Sequence, residues 1–220
     1  MTGAARARTA PAEGAAAFLP ERRTLKLLAA AAASCKGCAL YERATQTVFG
    51  EGPRSARVVM VGEEPGNDED LQGHVFVGPA GRVLDEALAA AGIDRAAVYL
   101  TNAVKHFKWE PKGKRRLHKK PTQREIWACK PWLEAELACL KPAAVVCLGA
   151  TAATSLLGNK VRVTQRRGQL LAAEIAPIVM VTVHPASLLR APTPEERAQA
   201  RKDFVRDLKR LAKALKAAAV

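Results

Sequence analysis

The sequence predicts an α/β protein, a three-layer α/β/α sandwich around a central four-stranded, mainly parallel sheet. Three observations predict it. Four short runs are apolar with little interruption: 57-RVVMVG-62, 97-AVYLTNAV-104, 143-AAVVCLG-149 and 178-IVMVTV-183. Strands covered on both faces read this way. Helix-prone segments separate the runs, as in sheets built from crossover units. The runs lead into GEEPGN, TNAVKH, LGAT and VHPAS, so polar residues converge on the rim where ligands of such sheets sit.

Residues 1–20, rich in Ala, Arg, Gly and Pro, read as a disordered tail ahead of a single domain over 21–220. From Glu21 to about Ser34 the chain is alanine-rich and helix-prone, and 35-CKGC-38 follows. Residues 63–81 carry Gly and Pro throughout and read as a long loop, and 82–91 as a helix. The stretch 105–121 reads as a basic loop. Thr122 then starts a helix as N-cap, and Glu125 completes a capping box; this helix runs to about Leu140. A short helix is expected at 150–157 and an amphipathic one from Pro194 to Lys216.

Lys and Arg number 35 against 21 Asp and Glu, for a net charge of +14. A protein this basic usually meets a polyanion, nucleic acid first; a merely basic enzyme is the plainer reading. No apolar run reaches the roughly 18 residues of a membrane span, so no membrane partner is expected. Five cysteines, two of them spaced C-x-x-C, suit a reducing compartment and a metal site better than disulfides. Cys139 lies ten residues beyond Cys129 on one helix, about 15 Å along the axis, too far to share a small cluster. Cys147 lies inside a strand and reads as core.

The segments 62-GEEPGNDEDLQGHVFVGPAG-81, 101-TNAVK-105, 148-LGATA-152 and 184-HPASLLR-190 resemble the iron–sulfur uracil-DNA glycosylases, family 4 of that superfamily, in the same order along the chain. The loop KRRLH at 114–118 is similar to the signature of the covalent UdgX group within it. The resemblance implies a [4Fe–4S] cluster on Cys35, Cys38, His106 and Cys129, with His106 where family 4 has a cysteine. Histidine can ligate iron in this way. Zinc would accept the same Cys3His set, and a solvated loop histidine is the plainer reading of His106.

The resemblance also implies a pocket for a base flipped out of uracil-containing DNA, with single strands favoured. Phe76 would stack on the base. Asn102 would read its pairing edge, donating to O4 and accepting from N3–H. The loop from Glu64 to Asn67 would hold the other carbonyl. His184 would donate to O2 as negative charge grows there, and Glu63 would face the cationic sugar. Arg116, Ser187 and Arg190 would hold the strand.

In the covalent group the histidine matching His118 attacks C1′, which would trap the enzyme after one turnover. A conventional glycosylase that turns over is the alternative. The covalent motif reads GEQPG and this chain GEEPG, and Asn67 stands where the group often has Asp; both departures bear on the nucleophile. Simple readings remain beside these: Phe76 as core, Asn102 as a strand-end turn residue, His184 as packing, His118 as one more phosphate contact. The expected protein is a cytoplasmic monomer that associates with the nucleoid when on DNA.

Overall fold

The computed structural model describes residues 14–159 and 161–218. The chain passes through α1 (Leu25–Ala32), β1 (Val58–Gly62), α2 (Asn67–Gln72), α3 (Pro79–Ala91) and β2 (Val98–Asn102). Then come β3 (Trp109–Lys112), β4 (Arg115–His118), α4 (Gln123–Leu140), β5 (Ala144–Leu148) and α5 (Ala150–Leu157). It ends with α6 (Val163–Arg166), β6 (Gln169–Ala173), β7 (Ala176–Thr182), α7 (Pro185–Leu188) and α8 (Pro194–Ala217).

The main sheet has the order β2-β1-β5-β7-β6, parallel except for β6. Strand alternation sends Val58 and Met60 to one face and Val59 and Val61 to the other. The first face packs on α3 and α8 through Leu84, Leu88, Phe204 and Leu208. The second packs on α4 and α5 through Leu133, Leu137, Ala152 and Ala153. This is the expected three-layer sandwich with five strands in place of four. The extra strand escaped the pattern because β6 is an edge whose residues are only exposed or half-buried, so it shows no continuous apolar run.

Three further expectations change. The 63–81 loop contains α2 and the first turn of α3. The basic loop is in large part an antiparallel hairpin, β3 with β4, pairing Lys112 with Arg115 around Gly113 and Lys114. Gly113 takes φ 59° at the first loop position, as a two-residue turn needs. Dense charge and Pro111 masked that strand signal. The tail assigned to 1–20 is ordered from Gly14: Ala15–Phe18 form a 3-10 helix, and Ala15, 1% exposed, packs with Leu28 and Trp132. The remainder of that tail, residues 1–13, lies outside the described residues. No described helix is long and apolar enough to cross a membrane.

The capping box of Thr122 and Glu125 is present. Beneath the sheet's rim, Lys105 is fully buried. Its Nζ lies 2.5 Å from Glu136 Oε2 and donates to Thr101 Oγ1 and to the Asn102 carbonyl. Glu136 Oε1 also accepts from Tyr99, Thr101 and the Gly50 amide.

Candidate functional site

Strand order reverses about β1: the chain leaves β1 for β2 on one side and enters β5 on the other. A crevice must open at their carboxyl ends. A cavity of about 720 Å³ lies there. Glu63 and Glu64 enter it after β1, Asn102 ends β2, Gly149 and Ala150 follow β5, and His184 follows β7. Phe76, His118, Ser187 and Arg190 line it as well. A second cavity, about 680 Å³, sits at the opposite ends of the strands among Leu137, Leu140 and Ile175. Its Lys130 and Glu134 pair with each other, and no histidine or amide side chain points chemistry into it.

Phe76 is buried and holds φ 54°, an uncommon conformation for an aromatic residue, which aims its ring along the cavity wall. Its ring lies stacked on that of His184, centroids 6.2 Å apart. Gly62 makes room for this: a Cβ there would sit 2.8 Å from Phe76 Cζ and run into Asn102 Oδ1. Asn102 is buried, yet its side-chain amide bonds no described residue. Both its donor and its acceptor are left for a ligand.

His184 caps the short α7. Its Nδ1 accepts from the Ala186 amide at 3.2 Å, and its carbonyl accepts from Ser187 Oγ at 2.7 Å. A neutral ring with an accepting Nδ1 must carry its hydrogen on Nε2. Burial pushes the His184 pKa down to about 4, against the pull of Glu63. The ring is therefore an uncharged donor near neutrality. Thr151 Oγ1 donates to Glu63 Oε2 and fixes that carboxylate at the crevice. Thr151 belongs to the LGAT segment at this rim, and nothing in its type or spacing marks it for this contact. Lys120, expected only to attract phosphate as one of the basic run, lines the cavity, and so does Leu117, which had no expected role.

His118 closes β4, and its Nε2 lies 3.0 Å from Glu64 Oε1. The contact has ion-pair length without the alignment of a hydrogen bond, and neither buried Glu64 oxygen has another aligned partner among the described residues. Burial pushes the Glu64 pKa up to about 8, against the attraction of His118, and Glu63 adds to the rise. The Glu64 carboxylate in turn holds His118 above its ordinary value, against burial. Both groups bind protons more tightly folded than unfolded. Their contribution is complete below the ordinary carboxylate range and is lost as pH rises through about 8. Glu64→Gln removes that loss. Its melting temperature relative to wild type should climb between about pH 5 and pH 9 in thermal unfolding; a flat difference would show Glu64 ionised at ordinary cost.

Arg116 and Asn67 are brought together outside the cavity lining. Arg116 Nε donates to Asn67 Oδ1 at 2.8 Å, and its guanidinium bonds Asp70 at 2.6 Å while lying over Phe107 and Trp109. These contacts tie the hairpin to α2. Trp109 Nε1 adds a bond to the Arg43 carbonyl. Lys112, Lys114 and Arg115 are exposed and form no ion pair among the described residues.

Cys35, Cys38 and Cys129 share one apolar cluster beside Trp132. Cys35 Sγ accepts from Trp132 Nε1 and Cys129 Sγ from the Lys105 amide, each at 3.2 Å. Sulfurs so placed, with N–H donors around them, have the chemistry of thiolate ligands to iron or zinc. His106 is buried beside them in sequence order with Cys129's partner Lys105, but its Nε2 faces Thr47 Oγ1 at 2.8 Å. Among the described residues no three His, Cys, Asp or Glu donors stand in a metal-holding arrangement. The thiols fit a cluster in kind; the histidine would ligate through Nδ1 while Nε2 keeps Thr47, or through Nε2 with its ring turned from Thr47. Cys139 bonds the Arg23 carbonyl, and Cys147 is core.

The family model described as the uracil DNA glycosylase superfamily matches residues 49–209. A type-4 uracil-DNA glycosylase of Thermotoga maritima is 40% identical over 157 residues, 71% of this chain and 78% of that protein. One from Archaeoglobus fulgidus is 35% identical over 191 residues, 81% of this chain and 86% of its own length. Another, from Pyrobaculum aerophilum, is 35% identical over 166 residues, 72% of this chain and 81% of the relative.

Proposed function

As the chain belongs to the uracil-DNA glycosylase superfamily, we propose that it cleaves uracil from DNA and turns over, water replacing the base at C1′. One observation carries this: an unspent amide on Asn102, the Phe76 ring and the neutral donor His184 meet in one cavity. The relatives named type-4 uracil-DNA glycosylases support the same reaction.

The base enters flipped and lies on Phe76. Asn102 donates to O4 and accepts from N3–H, a match for uracil and a mismatch for cytosine. As the C1′–N1 bond breaks, its electron pair stays with uracil, and His184 Nε2–H stabilises the charge on O2. Glu63 faces the sugar cation and takes the proton of the attacking water. Main-chain amides of the Glu64–Asn67 loop, with Ser187 and Arg190, hold the nucleotide, and Arg116 keeps the hairpin in place over the strand.

An iron–sulfur cluster on Cys35, Cys38, Cys129 and His106 would clamp the N-terminal segment to α4 and the approach to the hairpin; it would supply no step of the reaction. The purified protein would then be brown, with sulfur-to-iron absorption bands.

A single-stranded uracil oligonucleotide tests the reaction. Excess substrate should yield several uracils per enzyme, with protein unshifted on a denaturing detergent gel. No release sinks the proposal. Replacing Lys112, Lys114 and Arg115 by alanine should flatten the salt dependence of binding to single strands, lowering the log–log slope by about 2.

Covalent capture is the second reading, favoured by the placement of His118 on the wall of the same cavity. Release that stops at one equivalent, with a shifted protein band lost in His118→Ser, would establish it.

A further inference from the structure

We propose that the buried Glu64 carboxylate holds His118 by Nε2 and so withholds that nitrogen from C1′, steering the sugar cation to water; this rests on the uracil-releasing reading above.

Nε2 is the outer ring nitrogen. Nδ1 sits beside the Cβ attachment, and the ring packs against Phe107 with centroids 5.8 Å apart, so Nε2 is the atom with reach. It lies 3.0 Å from Glu64 Oε1, on a side chain 45% exposed at the cavity mouth. Glu64 is only 6% exposed and has no other aligned partner among the described residues, so it gains most by keeping the contact.

The block does not depend on where the proton sits. With Glu64 ionised, the imidazolium Nε2–H faces it at ion-pair distance and leaves no free lone pair. With Glu64 neutral, its carboxyl proton lies at the same 3.0 Å contact and competes for the Nε2 lone pair. In either state Nε2 must leave Glu64 before it can bond carbon. The groups facing the pair set how tightly it is held: the charged Glu63, Glu69 and Lys120 on the cavity wall and Arg190 beyond β7, with the neutral His184 ring and the main chain of Lys108.

Two branches then compete for one cation. Heterolysis leaves the bond pair on uracil N1, and the uracil anion takes a proton from solvent. In the first branch water oxygen bonds C1′ and yields a proton to Glu63. In the second the proton shared by the pair stays on Glu64, the freed Nε2 lone pair bonds C1′, Nδ1 keeps its hydrogen, and the ring becomes an alkylated imidazolium that stays attached. Glu64 favours the first branch by occupying Nε2.

The test compares wild type with Glu64→Gln, which keeps shape and removes charge. Neutral contacts are roughly half as strong as charge-assisted ones. The ratio of His118 adduct to released uracil, read by intact mass and peptide mapping, should therefore rise about tenfold. The double variant Glu64→Gln/His118→Ser should return it to zero.

A second measurement needs no catalysis. Diethyl pyrocarbonate acylates a free imidazole lone pair, so His118 should react about tenfold faster in Glu64→Gln, with His74 as internal reference. An unchanged ratio or an unchanged acylation rate overturns the proposal, and so does a wild type that forms adduct at every cleavage. If neither protein releases uracil, the glycosylase reading fails while acylation still decides whether Glu64 withholds Nε2.

Discussion

His184→Ala is expected to slow uracil release about 10²- to 10³-fold at the chemical step, with much smaller loss of DNA binding. The reason lies in timing. Uracil O2 is weakly basic in the bound substrate and becomes anionic as the C1′–N1 bond opens. A fixed donor therefore bonds the transition state far better than the ground state. The Ala186 amide occupies Nδ1 and leaves the hydrogen on Nε2, and burial keeps the ring uncharged down to about pH 4. Single-turnover release with excess enzyme measures the step directly. His184→Asn serves as the companion, since Asn can still cap α7 but is too short to reach the base. It should be nearly as slow as the alanine variant. An alanine enzyme within tenfold of wild type would falsify the assignment.

Lys105→Met is expected to cost about 3–5 kcal/mol of stability, because it leaves Glu136 as a buried charge with no cation. Methionine fills most of the volume, so a cavity explains little of the loss. The Tyr99, Thr101 and Gly50 donors remain on Glu136, but neutral dipoles do not replace the ammonium. Urea unfolding measures the cost. The double variant Lys105→Met/Glu136→Leu should recover a large part of it, since removing both partners leaves no orphan charge. Loss of stability in the double variant equal to that of the single would show packing, not charge, to be responsible. Lys105 also donates to the Asn102 carbonyl, so the single variant should loosen Asn102, the proposed reader of the pairing edge, and slow release as well.

Fully buried strands needed no tertiary information. Val58–Val61 and Ala144–Leu148 are apolar on both faces, and that run length and composition have few other solutions. The edge strand Gln169–Ala173 and the hairpin flanking Gly113 were not legible, because most of their side chains meet water and charge hides the alternation. Ala15 shows the limit from the other side: a small residue in a biased segment carries no mark of burial, yet it is buried in the apolar cluster that holds Trp132.

Residue chemistry at the strand ends was written in the chain. GEEPG, TNAVK, LGAT and HPASLLR put amide, imidazole and carboxylate on one rim, since parallel strands present their carboxyl ends together. Partnership was decided only on folding. Arg116 could have faced DNA and instead joins Asp70; Glu64 and His118, 54 positions apart by their numbers, come within 3.0 Å. Long side chains near a crevice choose among several oppositely charged neighbours, and that choice depends on distances and shielding that no linear order contains.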